Sequence, residues 1–285
     1  MNDRPVAFIT GASQGLGAAT AAGFIGNGYD CFLVARNRQN LKAVASRVAI
    51  DGAQAAVCAG DLGDLSFAQE AVESCFEQFG RIDVLVNNAA WRNIGTMRQM
   101  ELEEWEKTLR ICLTAPAFLA KWCGEKMQAI GRGVILNVFS IQSKMAPVIC
   151  PAYVAAKGGL DALTYELAAL FGPSGIRVLG LNLGAIATEM SAHYVAENGD
   201  NLSQHLRQFA EDMIPLRRFA EPEEMARTMV MLADERANYM PGACLEIDGV
   251  WSHQATPCSL KHRQFPQEFS RRCIGNDSQP ACRCR

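Results

Sequence analysis

Residues 6–17 read VAFITGASQGLG, five apolar or β-compatible residues that empty at once into a turn carrying Gly11, Gly15 and Gly17. A short apolar run followed by a glycine-rich turn, and then by the helical pattern of residues 15–27, opens a strand–turn–helix unit. Glycines there permit a tight turn and close approach of backbone to phosphate. The first N–H groups of the helix add unpaired donors and a partial positive charge. The stretch predicts a pyrophosphate cradle formed by Gly11, Ser13, Gln14, Gly15, Leu16 and Gly17, hence a dinucleotide site.

Outward from this turn the same unit recurs. Apolar runs at 31–35, 55–60, 84–89, 133–139, 176–183 and 243–248 read as further strands, with helical patterns at 38–50, 66–78, 101–130, 152–171 and 222–233 between them. Continuous apolar strands alternating with long helices predict a parallel sheet of about seven strands, covered by helices on both faces. Residues 1–251 are therefore expected to form a single doubly wound α/β domain of Rossmann type. Such sheets hold their ligand at the carboxyl ends of the strands. The polar insertion at 187–219 breaks the rhythm after the sixth strand and is expected to be a substrate-covering lid.

The 285 residues, 49% hydrophobic and 20% charged, suffice for a sizeable core. A net charge of −3 argues against nucleic acid or a membrane surface as the principal partner. No run approaches the ~18 to 20 apolar residues that span a bilayer. The chain moves straight into a strand pattern without a signal-peptide core, and a soluble, cytoplasmic protein is expected. Seven of its 11 cysteines (Cys31, Cys58, Cys75, Cys112, Cys123, Cys150 and Cys244) stand singly in apolar contexts and read as reduced thiols. The other four, Cys258, Cys273, Cys282 and Cys284, lie in a segment without periodicity at 252–285. That segment holds six Lys/Arg against two Asp/Glu, leaving 21 basic and 28 acidic residues of the total 27 and 30 in the domain. It reads as a basic tail, either disordered or reaching a neighbouring subunit, with Phe265 and Phe269 spaced to anchor one helical turn. No metal site is assigned.

The spacing of the first turn is Thr-Gly-x-x-x-Gly-x-Gly, and further motifs join it: NNAA at 87–90, and Ser140 thirteen residues before a Tyr153-x-x-x-Lys157 pair. Together they resemble the classical short-chain dehydrogenase/reductase family, from about Arg4 to Val250. The resemblance implies cofactor contacts from Asn87 and Ala89, from the Asp61-Leu62 pair, and from Gly184, Ile186 and Thr188 after the sixth strand. It also implies a homodimer or homotetramer built on the helices around 101–130 and 152–171. Three positions depart from the family pattern: Ala90 and Val250 replace glycines, and Leu183 replaces a proline.

After the second strand the residues are Ala35, Arg36 and Asn37. Ala35 offers no carboxylate to the adenosine ribose hydroxyls and none to repel a 2′-phosphate. Arg36 can pair bidentately with phosphate. NADP(H) is therefore expected ahead of NAD(H).

Tyr153 and Lys157 lie one helical turn apart, so the ammonium can sit near the phenol, lower its pKa from about 10, and hold the nicotinamide ribose. Ser140, at a strand end, can donate to the substrate oxygen. The implied chemistry is hydride transfer between nicotinamide and a carbonyl or secondary alcohol, with Tyr153 as general acid/base. The family's fourth active-site residue, an asparagine, aligns with Cys112 in TLRICLTAPAFLAK (108–121). Only the Cys112 backbone carbonyl is expected to act there, as the anchor of a water leading to Lys157. Pro116 lacks the N–H that would pair with that carbonyl, so the helix is expected to kink around it.

Trp91, Gln142, Met190 and His193 are candidate substrate contacts, with Met145, Ile149 and Tyr194 near them. They suit a small-molecule carbonyl or alcohol; sugar, polyol, steroid and 3-oxoacyl substrates all stay open. The alternative is a dinucleotide-binding regulatory or scaffolding protein whose chemistry has decayed, suggested by Cys112, Ala90 and Leu183.

Overall fold

Alternate residues of β1 (Val6–Thr10) part to opposite faces of a sheet: Ala7 and Ile9 join one apolar core, Val6 and Phe8 another. A strand buried on both sides needs no polar alternation, which is why its sequence is uniformly apolar. This computed structural model describes residues 4–49, 52–192, 195 and 198–269.

Each strand feeds a helix. α1 (Gly15–Gly26) follows β1, β2 (Asp30–Ala35) leads to α2 (Arg38–Val48), and β3 (Ala55–Ala59) leads to α3 (Leu65–Phe79). Then come β4 (Val84–Asn87), α4 (Leu102–Leu109), a π-helical turn at Arg110–Thr114, α5 (Ala115–Ile130), β5 (Gly133–Ser140), α6 (Pro151–Phe171) and β6 (Ile176–Leu183). α7 (Glu189–Ala192), α8 (Ser203–Met213), α9 (Pro222–Ala233), β7 (Cys244–Ile247) and α10 (Cys258–Gln264) complete the described chain.

All strand pairings are parallel, in the order β3-β2-β1-β4-β5-β6-β7. α1, α2 and α9 cover one face; α3, α5 and α6 cover the other. The expected doubly wound seven-stranded sheet is present. Its order reverses between β1 and β4, and the crevice at their carboxyl ends is where such a sheet takes its ligand. β4 stops at Asn87 rather than at 89, because the amides of Asn88 and Ala89 turn away to the Thr10 hydroxyl, at 2.9 and 3.0 Å.

The helix expected at 101–130 runs from Leu102 to Ile130, with a π-helical turn immediately before Pro116. The break is taken up by the π turn, where the Ala115 N–H reaches back five residues to the Arg110 carbonyl. Pro116 follows immediately and has no N–H of its own to donate, so one widened turn absorbs the defect.

The segment at 187–219 is pinched at its base by the pairing of Ile186 with Ala220, with amide bonds of 2.9 and 3.0 Å tying Ala187 and Ala185 to Ala220. α8 lies within it, and Ala210, Ile214 and Phe219 pack with Trp251. Of the tail expected from Ser252 onward, residues 258–264 form α10, which rests on α8. The Ser259 amide and hydroxyl donate to Asp212 at 2.7 and 2.6 Å, and the buried Cys258 thiol points at the Ile214 carbonyl. Phe265 and Phe269 pack against each other with tilted rings, their centroids 6.3 Å apart. Cys273, Cys282 and Cys284 lie outside the described residues. Among those described, no helix is long and apolar enough to cross a membrane, and Cys31, Cys58, Cys75, Cys112, Cys123, Cys150, Cys244 and Cys258 are all free thiols.

Candidate active site

The crevice at the sheet's switch point opens as one cleft of about 1440 Å³, running from the β2 and β3 ends to the space under α8. That exceeds the roughly 300–1,000 Å³ of a small-ligand pocket and suits a dinucleotide with a second molecule beside it.

At its centre the first turn is built by close approach. A Cβ on Gly17 would stand 2.1 Å from the Gly11 carbonyl oxygen, and one on Gly11 would stand 2.9 Å from the Ala89 Cα. Gly11 also takes φ +66°, which favours glycine. The helix therefore starts hard against the turn. Gln14, at the N-cap of α1, supplies no side-chain bond to the first amides, so these donors face the cleft. Ser13, Gln14, Gly15 and Leu16 line it with them. Arg36 and Asn37 stand at the β2 end, Asp61 and Leu62 at the β3 end, Ala89 after β4, and Gly184, Ile186 and Thr188 after β6. These residues fit an extended dinucleotide: bare amides for its phosphates, a basic end at Arg36 and Arg38, and a carboxylate at Asp61.

Asn87 does not join them. It is 1% exposed and lies behind the cleft, where its amide donates to Asn137 at 2.9 Å and to the Pro116 carbonyl at 3.3 Å. Asn137 donates onward to Thr164 at 3.1 Å. The neighbouring Asn88 lines the cleft in its place and donates to the Thr10 carbonyl at 2.9 Å. Thr10 is the joint of this region, donating to the Val86 carbonyl at 3.0 Å while accepting the Asn88 and Ala89 amides. Its place immediately before Gly11 was the signal available in sequence.

Trp91 lines the cleft, but its indole is engaged at the β2 end and by α4 rather than reserved for a substrate. The Arg36 guanidinium lies 5.4 Å from the ring centroid, the Lys107 ammonium lies 3.9 Å from it, and the indole N–H donates to Glu104 at 3.1 Å. Beneath, the Cys112 thiol contacts the Trp91 backbone twice, accepting its amide and donating to its carbonyl, both at 3.3 Å. The expectation gave Cys112 a role through its carbonyl alone; its side chain also pins the loop after β4. A thiol can do so because sulfur is both a weak donor and a weak acceptor.

Ser140 ends β5, and Tyr153 and Lys157 lie on the first turns of α6, all three on the cleft wall. Lys157 is 2% exposed, and its ammonium donates to the Val138 carbonyl at 2.7 Å and sits 5.5 Å from the Tyr153 ring centroid. Burial is the main influence on Tyr153 and pushes the phenol above its usual pKa, reinforced by Cys112; Arg92 and the hydrogen bond with Ser140 work the other way. The lowering expected from Lys157 does not enter: the phenol is set by its burial, which also lowers the pKa of Lys157 itself. A phenol that keeps its proton near neutrality, beside a buried cation and a hydroxyl, can deliver that proton to an oxyanion.

At the far end Gln142, Met145, Ile149 and Met190 line the cleft, joined by Leu206, Phe209 and Met213 of α8 and by Trp251. Gln142 accepts from the Cys150 thiol at 3.4 Å. Arg92 crosses from the loop after β4 to the Met190 carbonyl at 3.2 Å. Trp251, Arg92 and the α8 residues escaped the sequence reading because they reach the cleft through tertiary contacts, without a local pattern. His193 and Tyr194 lie outside the described residues.

Residues 5–199 match the family model described as short chain dehydrogenase. The chain is 32% identical over 248 residues to D-threitol dehydrogenase of Mycolicibacterium smegmatis, covering 87% of this chain and 92% of that one. It resembles the structure of L-sorbose reductase from Gluconobacter frateurii complexed with NADPH and L-sorbose, with TM-score 0.81, 31% identity and coverage of 87% and 96%. A Beutenbergia cavernae structure with bound NADP is similar at TM-score 0.80 and 31% identity, covering 88% of this chain and 97% of the other. With a switch-point cleft that fits a dinucleotide, and with relatives matched along nearly their whole length, the chain belongs to the classical branch of the short-chain dehydrogenase/reductase family of oxidoreductases.

Proposed function

We propose that the protein is an NADP(H)-preferring oxidoreductase that interconverts a small polyhydroxylated secondary alcohol and its ketone. The observation that carries the reading is the buried Tyr153 phenol, hydrogen-bonded to Ser140 and one helical turn from a buried Lys157, at the inner end of the dinucleotide cleft. Bound nicotinamide dinucleotide would supply or accept the hydride at the substrate carbon.

The chain's own residues handle the oxygen. In reduction the Ser140 hydroxyl donates a hydrogen bond to the carbonyl oxygen, and Tyr153 transfers its proton there as negative charge develops. Lys157, fixed by the Val138 carbonyl, provides the counter-charge for the resulting phenolate. In oxidation the phenolate takes the proton back. Gly11, Ser13, Gln14, Gly15, Leu16 and Gly17 would hold the pyrophosphate, Arg36 and Asn37 the 2′-phosphate end, and Asp61 and Leu62 the adenine. Gly184, Ile186 and Thr188 would flank the nicotinamide. Residues 187–219 would act as a lid carrying Met190, with Gln142 opposite, over the substrate. Support for the substrate class comes from the threitol dehydrogenase and sorbose reductase relatives.

The test is a screen of ketoses and polyols against both cofactors, following nicotinamide absorbance. We expect reduction of at least one ketose with NADPH, and a fall of about 10²- to 10⁴-fold in kcat for Tyr153→Phe. Because the phenol pKa is raised, alcohol oxidation, which needs the phenolate, should climb as pH rises into the alkaline range. Reduction, which uses the phenol, should stay level through neutrality. Failure to turn over any carbonyl, or unchanged rates in Tyr153→Phe, would leave a dinucleotide-binding protein without this chemistry.

A further inference from the structure

The indole of Trp91 is held from three sides by groups from separate parts of the fold. Glu104 on α4 accepts its N–H at 3.1 Å, the Lys107 ammonium of the same helix sits 3.9 Å from the ring centroid, and the Arg36 guanidinium from the end of β2 sits 5.4 Å from it. Glu104 and Lys107 are one turn apart, so one helix face fixes both the polar edge and the ring. The backbone of Trp91 is fixed as well, by the two contacts to the Cys112 thiol. Arg36 is exposed in the turn after β2, and its guanidinium lies against this ring. Arg36 after β2 and Trp91 after β4 both line the cleft, on either side of the glycine turn that follows β1.

We infer that Trp91 is a positioning residue for cofactor selectivity: its indole, oriented by Glu104 and Lys107, stations the Arg36 guanidinium where a ribose 2′-phosphate would bind. An arginine with long, free torsions loses much entropy on binding phosphate, and a pre-formed stack on an aromatic face removes part of that loss while leaving the guanidinium edge open to donate. The ammonium of Lys107 adds positive potential to the same corner. A carboxylate at Glu104 is tolerated there because it is engaged by the indole N–H. The inference rests on the NADP(H) reading above.

Equilibrium binding of NADPH and NADH, measured by titration calorimetry, separates the two. For wild-type protein we expect the tighter binding with NADPH. Trp91→Leu should weaken NADPH by about 3- to 10-fold, the range of an aromatic–cation contact, with NADH changed less than about twofold. Trp91→Phe should restore most of the preference, and Lys107→Met should lose part of it. In an Arg36→Ala background Trp91→Leu should leave the NADPH/NADH ratio unmoved, since the group it positions is gone. Wild-type protein that binds NADH more tightly sinks the cofactor reading and this inference together. A preference for NADPH that survives Trp91→Leu, or equal losses of both nucleotides in that variant, sinks this inference alone.

Discussion

Val250 takes φ +72°, the left-handed region that a β-branched side chain enters only under strain. It stands where the family pattern has glycine, so a departure visible in the sequence marks a backbone conformation that the sequence does not display. The position is held regardless: Asp248 accepts the Val250 and Ser252 amides at 2.8 and 2.6 Å, closing the turn that presents Trp251 to the cleft. Val250 is 55% exposed, so glycine would sacrifice little burial. Relief of the strain, less the extra chain entropy of glycine, should make Val250→Gly more stable by about 1 kcal/mol. Urea or thermal unfolding decides it, and equal or lower stability would mean the valine side chain is worth more than its strain. Ser140, Tyr153 and Lys157 were legible because their spacing is local. Trp91 was legible as a cleft residue but not in its orientation, since Arg36 is 55 positions away in the chain and Glu104 and Lys107 belong to a separate helix.

The α4–α5 helix shows the same limit at the scale of an element. From sequence, Pro116 in an apolar helical pattern forecasts a missing hydrogen bond and a kink. It cannot choose between bending the axis and widening one turn, because both dispose of the unpaired carbonyl. The choice is tertiary: Pro116 is buried, its own carbonyl accepts from Asn87 behind the cleft, and Cys112 must reach the Trp91 backbone. A π turn at Arg110–Thr114 accommodates both contacts, and helical backbone resumes in α5 directly after it. Two substitutions separate the roles. Pro116→Ala restores an N–H that can close an ordinary α turn onto the Cys112 carbonyl, shifting the residues beside Lys157 and Tyr153; its kcat for ketone reduction should fall by about tenfold. Cys112→Ala removes only the sulfur contacts to the loop, so cofactor KM should rise and kcat hold within about threefold. The reverse pattern, or equal small effects from both, would make the π turn a packing feature without bearing on proton transfer.

At the scale of the whole molecule, the sheet was readable because burial on both faces keeps its inner strands largely apolar and helices fill the crossovers, a rule that operates within short windows of sequence. The far wall of the cleft obeys no such rule. It is made by a polar insertion whose ends are pinched by the Ile186–Ala220 pairing, and that insertion is braced from outside by α10 of the tail. Asp212 joins them: it sits on α8, whose other side offers Leu206, Phe209 and Met213 to the cleft, and it takes both the amide and the hydroxyl of Ser259. The helix that lines this end of the cleft is thus bonded to residues some 50 positions downstream in the chain. If that brace sets how closely α8 sits over the cleft, then Asp212→Ala should loosen the cover without touching the dinucleotide turn. We expect substrate KM to rise by about 3- to 10-fold, cofactor affinity to stay within about twofold, and cleavage by trypsin within 187–219 to accelerate. Asp212→Asn keeps an acceptor for the Ser259 hydroxyl and should lie between the variant and the wild type. Unchanged KM and unchanged proteolysis in Asp212→Ala would show that α8 holds its place through Ala210, Ile214, Phe219 and Trp251 alone, leaving α10 as a passenger on the fold.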